Sequence, residues 1–186
     1  PKADFTLGAN EICEGGLLKI TDLQNAYSDL SATAKYSWSW GDGRTHQGKF
    51  ALKSTSARDT NILYSNFGDY TVKLKTITSI LGCSDSMFKT VSVYSVPKVK
   101  VSVNQLAFCA NMQTAIFTNQ STNADGKSLQ HNWVFGDGGL STALSPSHLY
   151  KIAGKFIVKY RTINPFVSGG GCSDSTSLPA ITVVPE

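Results

Sequence analysis

No Cys-x-x-Cys pair occurs in the chain, so neither a zinc ribbon nor a thioredoxin-like redox centre has residues to build on. No apolar run approaches the ~20 residues a bilayer-spanning helix needs. The opening at Pro1 carries no signal-peptide pattern, and the sequence therefore reads as a piece of a longer chain whose export signal would lie upstream. No stretch of about ten residues combines helical periodicity with capping residues, which predicts almost no helix. Nucleophile motifs and acid/base pairs at usable spacing are missing too: His46, His131 and His148 have no Ser or Cys partner and no metal-ligand spacing, so no catalytic residue is expected. An excess of one charge is nearly absent, the net value being +4. Its cations, such as Lys73, Lys75, Lys159 and Arg161, alternate with apolar residues, which predicts a solvated sheet face and not a nucleic-acid groove.

What is present is a repeat. Trp-Ser-Trp-Gly-Asp-Gly at Trp38 to Gly43 returns as Trp-Val-Phe-Gly-Asp-Gly at Trp133 to Gly138. Aromatics at alternate positions running into a Gly-Asp-Gly turn predict a half-buried strand and a tight reversal. From that anchor the chain can be laid over itself, Cys13 on Cys109, Tyr64 on Tyr150 and Cys83 on Cys172. The first copy is longer between the turn and the following tyrosine (Gly43 to Tyr64 against Gly138 to Tyr150), and the second is longer around Gly169 to Gly171. Unequal loops on shared strands predict two modules, 1–96 and 97–186, each of roughly 90 residues. Between them stand only Val96, Pro97 and Lys98, a short Pro-containing junction that predicts a semi-rigid pair.

An aromatic strand ending in Gly-Asp-Gly, then Pro-x-His-x-Tyr, then Gly-x-aromatic-x-Val resembles the polycystic kidney disease (PKD) domain, an immunoglobulin-like β-sandwich. The second copy carries the whole pattern: Trp133, Phe135, Gly136, Asp137, Gly138, Pro146, His148, Tyr150, Gly154, Phe156 and Val158. The first keeps Trp38, Trp40, Gly41, Asp42, Gly43, Tyr64, Gly68, Tyr70 and Val72 but has Thr60 and Ile62 in place of the Pro and His. Cys-Ser-Asp-Ser at Cys83 and again at Cys172 is similar to the PKD repeats along large surface proteins of gliding and polymer-degrading Bacteroidetes. The resemblance implies an all-β fold of two tandem sandwiches. Some members of the family bind calcium, but no Asp-x-Asp-x-Asp array is present and their ligands cannot be placed here residue by residue; no cofactor is expected, with a structural calcium ion as the alternative.

Four cysteines, two per copy at matching places, predict a disulfide in each module of an exported protein. Of the three pairings, the repeat favours Cys13 with Cys83 and Cys109 with Cys172; free thiols are the alternative. The favoured pairing requires a short or bent first strand, because simple up-and-down alternation puts the paired loops at opposite ends of a sandwich and bridging needs Cα atoms within roughly 7 Å.

Asp42 and Asp137 could offer carboxylates to a ligand, but an Asp between glycines more simply bonds the turn backbone. Trp38 and Trp133 belong to the core by their alternation; Trp40 stands at the strand end beside the turn. His148 should bond backbone or a nearby side chain. The extra stretch after Gly43, with Arg44, His46, Lys49, Phe50, Lys53 and Arg58, is the candidate interaction loop; the plainer reading is an added hairpin. The expected function is a non-catalytic spacer and adhesion module of an extracellular or bacterial cell-surface protein. Its expected partners are neighbouring repeats of the same chain and a polysaccharide or surface protein; nucleic acid is not expected, and the chain should not itself span a membrane. The alternative is an accessory, substrate-engaging segment of a secreted hydrolase.

Overall fold

The computed structural model describes residues 2–23, 33–51, 58–78, 82–166 and 168–186. These divide into two compact units, Pro1–Tyr94 and Ser95–Glu186. No helix occurs among the described residues, and all regular structure is strand.

In the first unit, β1 (Phe5–Leu7), β3 (Leu17–Asp22) and β6 (Arg58–Leu63) form one sheet in the order β1-β3-β6. The second sheet contains β2 (Glu11–Cys13), β4 (Thr33–Ser39), β5 (Thr45–Ala51), β7 (Gly68–Thr78) and β8 (Ser84–Tyr94) in the order β2-β8-β7-β4-β5. Alternation along β3 and β7 sends Leu18, Ile20, Val72 and Leu74 inward, where they meet Phe5, Trp38, Trp40, Tyr64, Val91 and Val93. Trp38 stacks on Trp40 at 5.1 Å and takes the edge of Phe5. All three tryptophans of the chain are buried, including Trp40 at the strand end.

The second unit repeats this plan with shorter pieces. Its strands are β9 (Val101–Val103), β10 (Ala107–Cys109), β11 (Thr114–Asn119), β12 (Gln130–Val134), β13 (Leu140–Ser141) and β14 (Ser147–Leu149), then β15 (Gly154–Phe156), β16 (Lys159–Phe166), β17 (Gly170–Ser177) and β18 (Ile181–Val184). They pair as β14-β11-β9, β13-β12-β16-β17 and β10-β18-β15. Ala115, Phe117, Trp133, Phe135, Tyr150, Val158, Tyr160, Ile181 and Val183 fill the same places in its core, Tyr160 standing where the first unit has Leu74 and Ala115 where it has Leu18. Exchange of a large for a small side chain on facing strands keeps the core volume.

Where sequence and structure differ, the strands are longer or shorter than pattern alone suggests. The stretch after Gly43 is largely strand: β5 pairs along its whole length with β4, from Ser39 opposite Thr45 to Thr33 opposite Ala51. Its counterpart β13 has only two residues. Tyr36 lies across Gly48, its register partner, and a Cβ there would collide with the tyrosine ring. From Gly154 to Phe166 the alternating run is broken into two strands, β15 and β16, which join different sheets. The strand that closes the first unit, β8, runs for eleven residues and begins directly after Cys83.

The length of β8 overturns the Cys13–Cys83 pairing, and the placement of β10 and β17 in different sheets overturns Cys109–Cys172. Cys13 lies opposite Tyr94 at the far end of β8, while Cys83 directly precedes its first residue. At ~3.3 Å per residue the ends of such a strand are roughly 35 Å apart, well beyond disulfide reach. In the second unit Cys109 lies opposite Val184 in the sheet β10-β18-β15, whereas Cys172 is the third residue of β17, in the sheet β13-β12-β16-β17. Cys83 and Cys109 are free thiols, and Cys13 and Cys172 are disulfide-bonded.

Candidate functional site

The Gly-Asp-Gly turn of each unit is fastened by a different residue. Gly41 and Gly136 have φ of +85° and +93°, and each lets backbone pass close by: a Cβ would stand 2.7 Å from the Thr71 nitrogen or 2.9 Å from the Ile157 oxygen. In the second unit the Gly139 amide donates to Asp137 Oδ1 (2.9 Å) and His148 Nε2 stands 2.7 Å from Oδ2. The His148 ring stacks on Phe135 at 4.1 Å with an interplanar angle of 10°. Burial pushes the Asp137 carboxyl up, but the His148 and Gly139 hydrogen bonds outweigh it and hold the pKa below the ordinary value.

In the first unit the histidine's place is taken by Ile62, and the task passes to Arg44 from the other side of the turn. Its amide and Nε donate to the two Asp42 oxygens at 3.0 and 2.7 Å, and Nη2 donates to the Leu63 carbonyl at 2.5 Å. Burial raises the Asp42 pKa, and the Arg44 hydrogen bonds and charge bring it below normal. Both Asp residues therefore fasten turn to neighbouring strand, as their place between glycines predicts.

A tyrosine completes each corner. Tyr64 donates its hydroxyl to the Trp40 carbonyl (2.7 Å) and Tyr150 to the Phe135 carbonyl (3.1 Å). Burial, reinforced by the nearby Asp42 or Asp137 carboxylate, pushes both phenols up to about 12.

The Asp of Cys-Ser-Asp-Ser is a feature that sequence reading passed over. Asp85 accepts the Ala3 amide at 2.8 Å and Asp174 the Val99 amide at 3.1 Å, and each also accepts the amide of the following serine. The first residues of each unit are thereby latched to its penultimate or last long strand. The Ala3 amide, then the Ser86 amide, lower the Asp85 pKa. Recurrence of the aspartate in both copies was the available signal.

Of the candidate interaction residues, Arg44 and His46 line a cleft of about 540 Å³ with Tyr36, Trp38, Trp40 and Ile62. Lys49 and Phe50 fall in β5 and Arg58 in β6, and Lys53 lies outside the described residues. Asp22 also lines this cleft, and its Arg44 guanidinium is held by Asp42 and the Leu63 carbonyl. His46 Nε2 stands 3.4 Å from the Tyr36 hydroxyl, and His131 Nδ1 2.8 Å from that of Tyr160. Among the described residues no group of three or more His, Cys, Asp or Glu side chains could hold a metal ion. No helix among them is long and apolar enough to cross a membrane.

A family model described as PKD domain matches residues 95–183. No curated protein sequence matches the chain. Among solved structures, the chain is similar to a C-terminal fragment of intimin in complex with the intimin-binding domain of the translocated intimin receptor. Identity is 8% and the TM-score 0.54, over 94% of this chain and 62% of that one. It is also similar to an I-band fragment of titin, with 11% identity and a TM-score of 0.50 over 98% of this chain and 65% of that one. The chain thus spans less than two thirds of either neighbour. At these identities the likeness is one of fold, and the fold is that of PKD and other immunoglobulin-like domains, with the family match itself carried by residues 95–183.

Proposed function

We propose that the chain is a non-catalytic spacer and adhesion module of an exported, surface-exposed protein, built to carry tension while presenting loops to a partner. The observation that carries this reading is the same in both units: a short early strand runs parallel to the last one. β2 pairs with β8 from Glu11 opposite Ser92 to Cys13 opposite Tyr94, and β10 with β18 from Ala107 opposite Thr182 to Cys109 opposite Val184. Each pairing is flanked by matching bonds, Ser92 to Asn10 and Glu14 to Tyr94 in one unit, Thr182 to Leu106 and Ala110 to Val184 in the other. Parallel strands at entry and exit send the chain in at one end of a sandwich and out at the other. With the disulfide-bonded cysteines reduced, tension loads these hydrogen bonds together in shear and does not unzip them singly. The disulfide-bonded state of Cys13 and Cys172 supports an oxidising compartment, and the likeness of the repeats to gliding-associated surface proteins supports a bacterial surface.

The test is single-molecule extension, under reducing conditions, of the full chain and its Ile12→Pro variant. Proline removes the Ile12 amide from the parallel pairing and should lower the unfolding force of the first unit while leaving the second as it was. Unchanged forces in both units would remove the mechanical reading.

A further inference from the structure

The outward face of one sheet carries the same charge arrangement in both units. In the first, Lys73 and Lys75 project from β7, an interior strand, with Ser39 and Phe88 opposite Lys73 and Ser37 and Ser86 opposite Lys75. In the second, Lys159 and Arg161 project from β16, also interior, between Val134 and Ser177 and between Asn132 and Ser175. All four cations are exposed, and Lys35 adds a third on the first face. Successive outward residues on a strand stand ~7 Å apart, so each pair repels itself. Cross-strand carboxylates would have relieved that repulsion, and the paired positions hold serine, asparagine, valine and phenylalanine instead. Lysines that discourage edge pairing belong on edge strands, and these lie in the middle of sheets.

Over the second pair lies a shallow cleft of about 600 Å³, lined among others by Asn132, Lys159, Arg161, Ser175 and Ser177. Arg161 Nη2 donates to Ser173 Oγ at 3.1 Å, which holds the guanidinium along the face. We propose that this face of each unit binds a linear, carboxylated polysaccharide, the cations pairing with uronate carboxylates and the serine and asparagine side chains with sugar hydroxyls. The composition separates this partner from other polyanions. Two or three cations per face are far fewer than the six to ten phosphate contacts typical of nucleic-acid binding, and fewer than the basic clusters that hold proteins to anionic lipid. Protein interfaces deplete lysine and serine at their centres, and these residues make up much of this face. A flat face rich in hydroxyl and amide groups with spaced cations suits a polymer rich in hydroxyls with spaced carboxylates.

This inference rests on the chain being an interaction module and names one partner class for it. The test is affinity electrophoresis of the full chain in gels containing polygalacturonate, with neutral dextran, polyglutamate and duplex DNA as comparison polymers. The variants are Lys73→Gln/Lys75→Gln, Lys159→Gln/Arg161→Gln and all four together; their exposed positions should leave thermal unfolding unchanged. Polygalacturonate should retard the chain in a salt-sensitive manner and more than any other polymer, each double variant should weaken retardation, and the fourfold variant should lose about tenfold or more in apparent affinity, ~1.4 kcal/mol. Equal retardation of the fourfold variant, equal binding to dextran, polyglutamate or DNA, or no retardation at all would overturn the proposal. If the chain then still adheres to cell surfaces, the adhesion reading survives without this face; if it adheres to none, both fall.

Discussion

Replacing His148 by alanine should destabilise the second unit far more than Arg44→Ala destabilises the first, although both residues fasten the equivalent aspartate. His148 and Asp137 side chains are 18% and 12% exposed, whereas Arg44 is 53% exposed. A charge-assisted hydrogen bond in a part-buried site is worth about 1.5–3 kcal/mol, and the ring stacked on Phe135 adds about 0.5–1. The His148→Ala loss is therefore about 2–4 kcal/mol. A half-exposed ion pair contributes at most about 1 kcal/mol, and the bond to the Leu63 carbonyl faces solvent, so Arg44→Ala should cost about 1 kcal/mol. For a module of this size each kcal/mol moves the melting point by about 4–8 °C, which separates the two outcomes clearly. Hydrogen exchange on the full chain, read unit by unit, assigns each loss to its sandwich. Acid provides an independent check. Because the folded Asp137 carboxyl lies below its ordinary value, its contribution is complete above the unfolded pKa of about 4 and disappears as pH falls through the folded value. The stability gap between wild type and Asp137→Asn should accordingly close below pH ~4. Equal losses for His148→Ala and Arg44→Ala, or a gap that persists in acid, would refute this account of the corner.

Three further outcomes follow from the same geometry. Gly136→Ala should lower stability by about 1–3 kcal/mol in the second unit, because its positive φ and the Ile157 oxygen 2.9 Å from the new Cβ both oppose the side chain; an unchanged thermal transition would contradict it. Asp174→Ala should speed hydrogen exchange at the Val99 amide, whose acceptor it removes, and Asp85→Ala should do the same at Ala3; unaltered protection at those amides would discard the latch. Native alkylation without reductant should label Cys83 quickly and the half-buried Cys109 more slowly, and no others; labelling of none or of all four cysteines would contradict the free-thiol assignment.

The sandwich interior was legible in the sequence because period-two alternation and two copies of one aromatic strand constrain each other. Trp38 and Trp133, Leu18 and Phe117, and Val72 and Val158 all fall inward as alternation requires. Strand lengths were less legible, since no local pattern marks where a polar strand continues. Ser84 to Lys89 is held as strand by Ile77 to Val72 across the sheet, a partner that its own residues do not announce. The failed pairing of Cys13 with Cys83 follows from the length of β8, which residue identity does not mark. The candidate site was legible as a place but not as a set of partners: backbone acceptors for Tyr64 and Tyr150, and backbone donors for Asp85 and Asp174, leave no trace in residue identity.

The first copy's missing histidine shows how such gaps close. A fastening aspartate needs one cationic or polar donor within reach, and the fold offers two approaches to it, from the strand before the tyrosine or from within the turn itself. The second unit uses the first route through His148, and the first unit uses the second through Arg44. Ile62 is then free to join the hydrophobic cluster and the wall of the Trp38–Trp40 cleft, where the second unit has an imidazole stacked on Phe135. Restoring the histidine is a test of that logic: Ile62→His combined with Arg44→Ala should recover most of the stability lost in Arg44→Ala alone, at the cost of part of the cleft. No recovery in the double variant would mean that the two corners are not interchangeable.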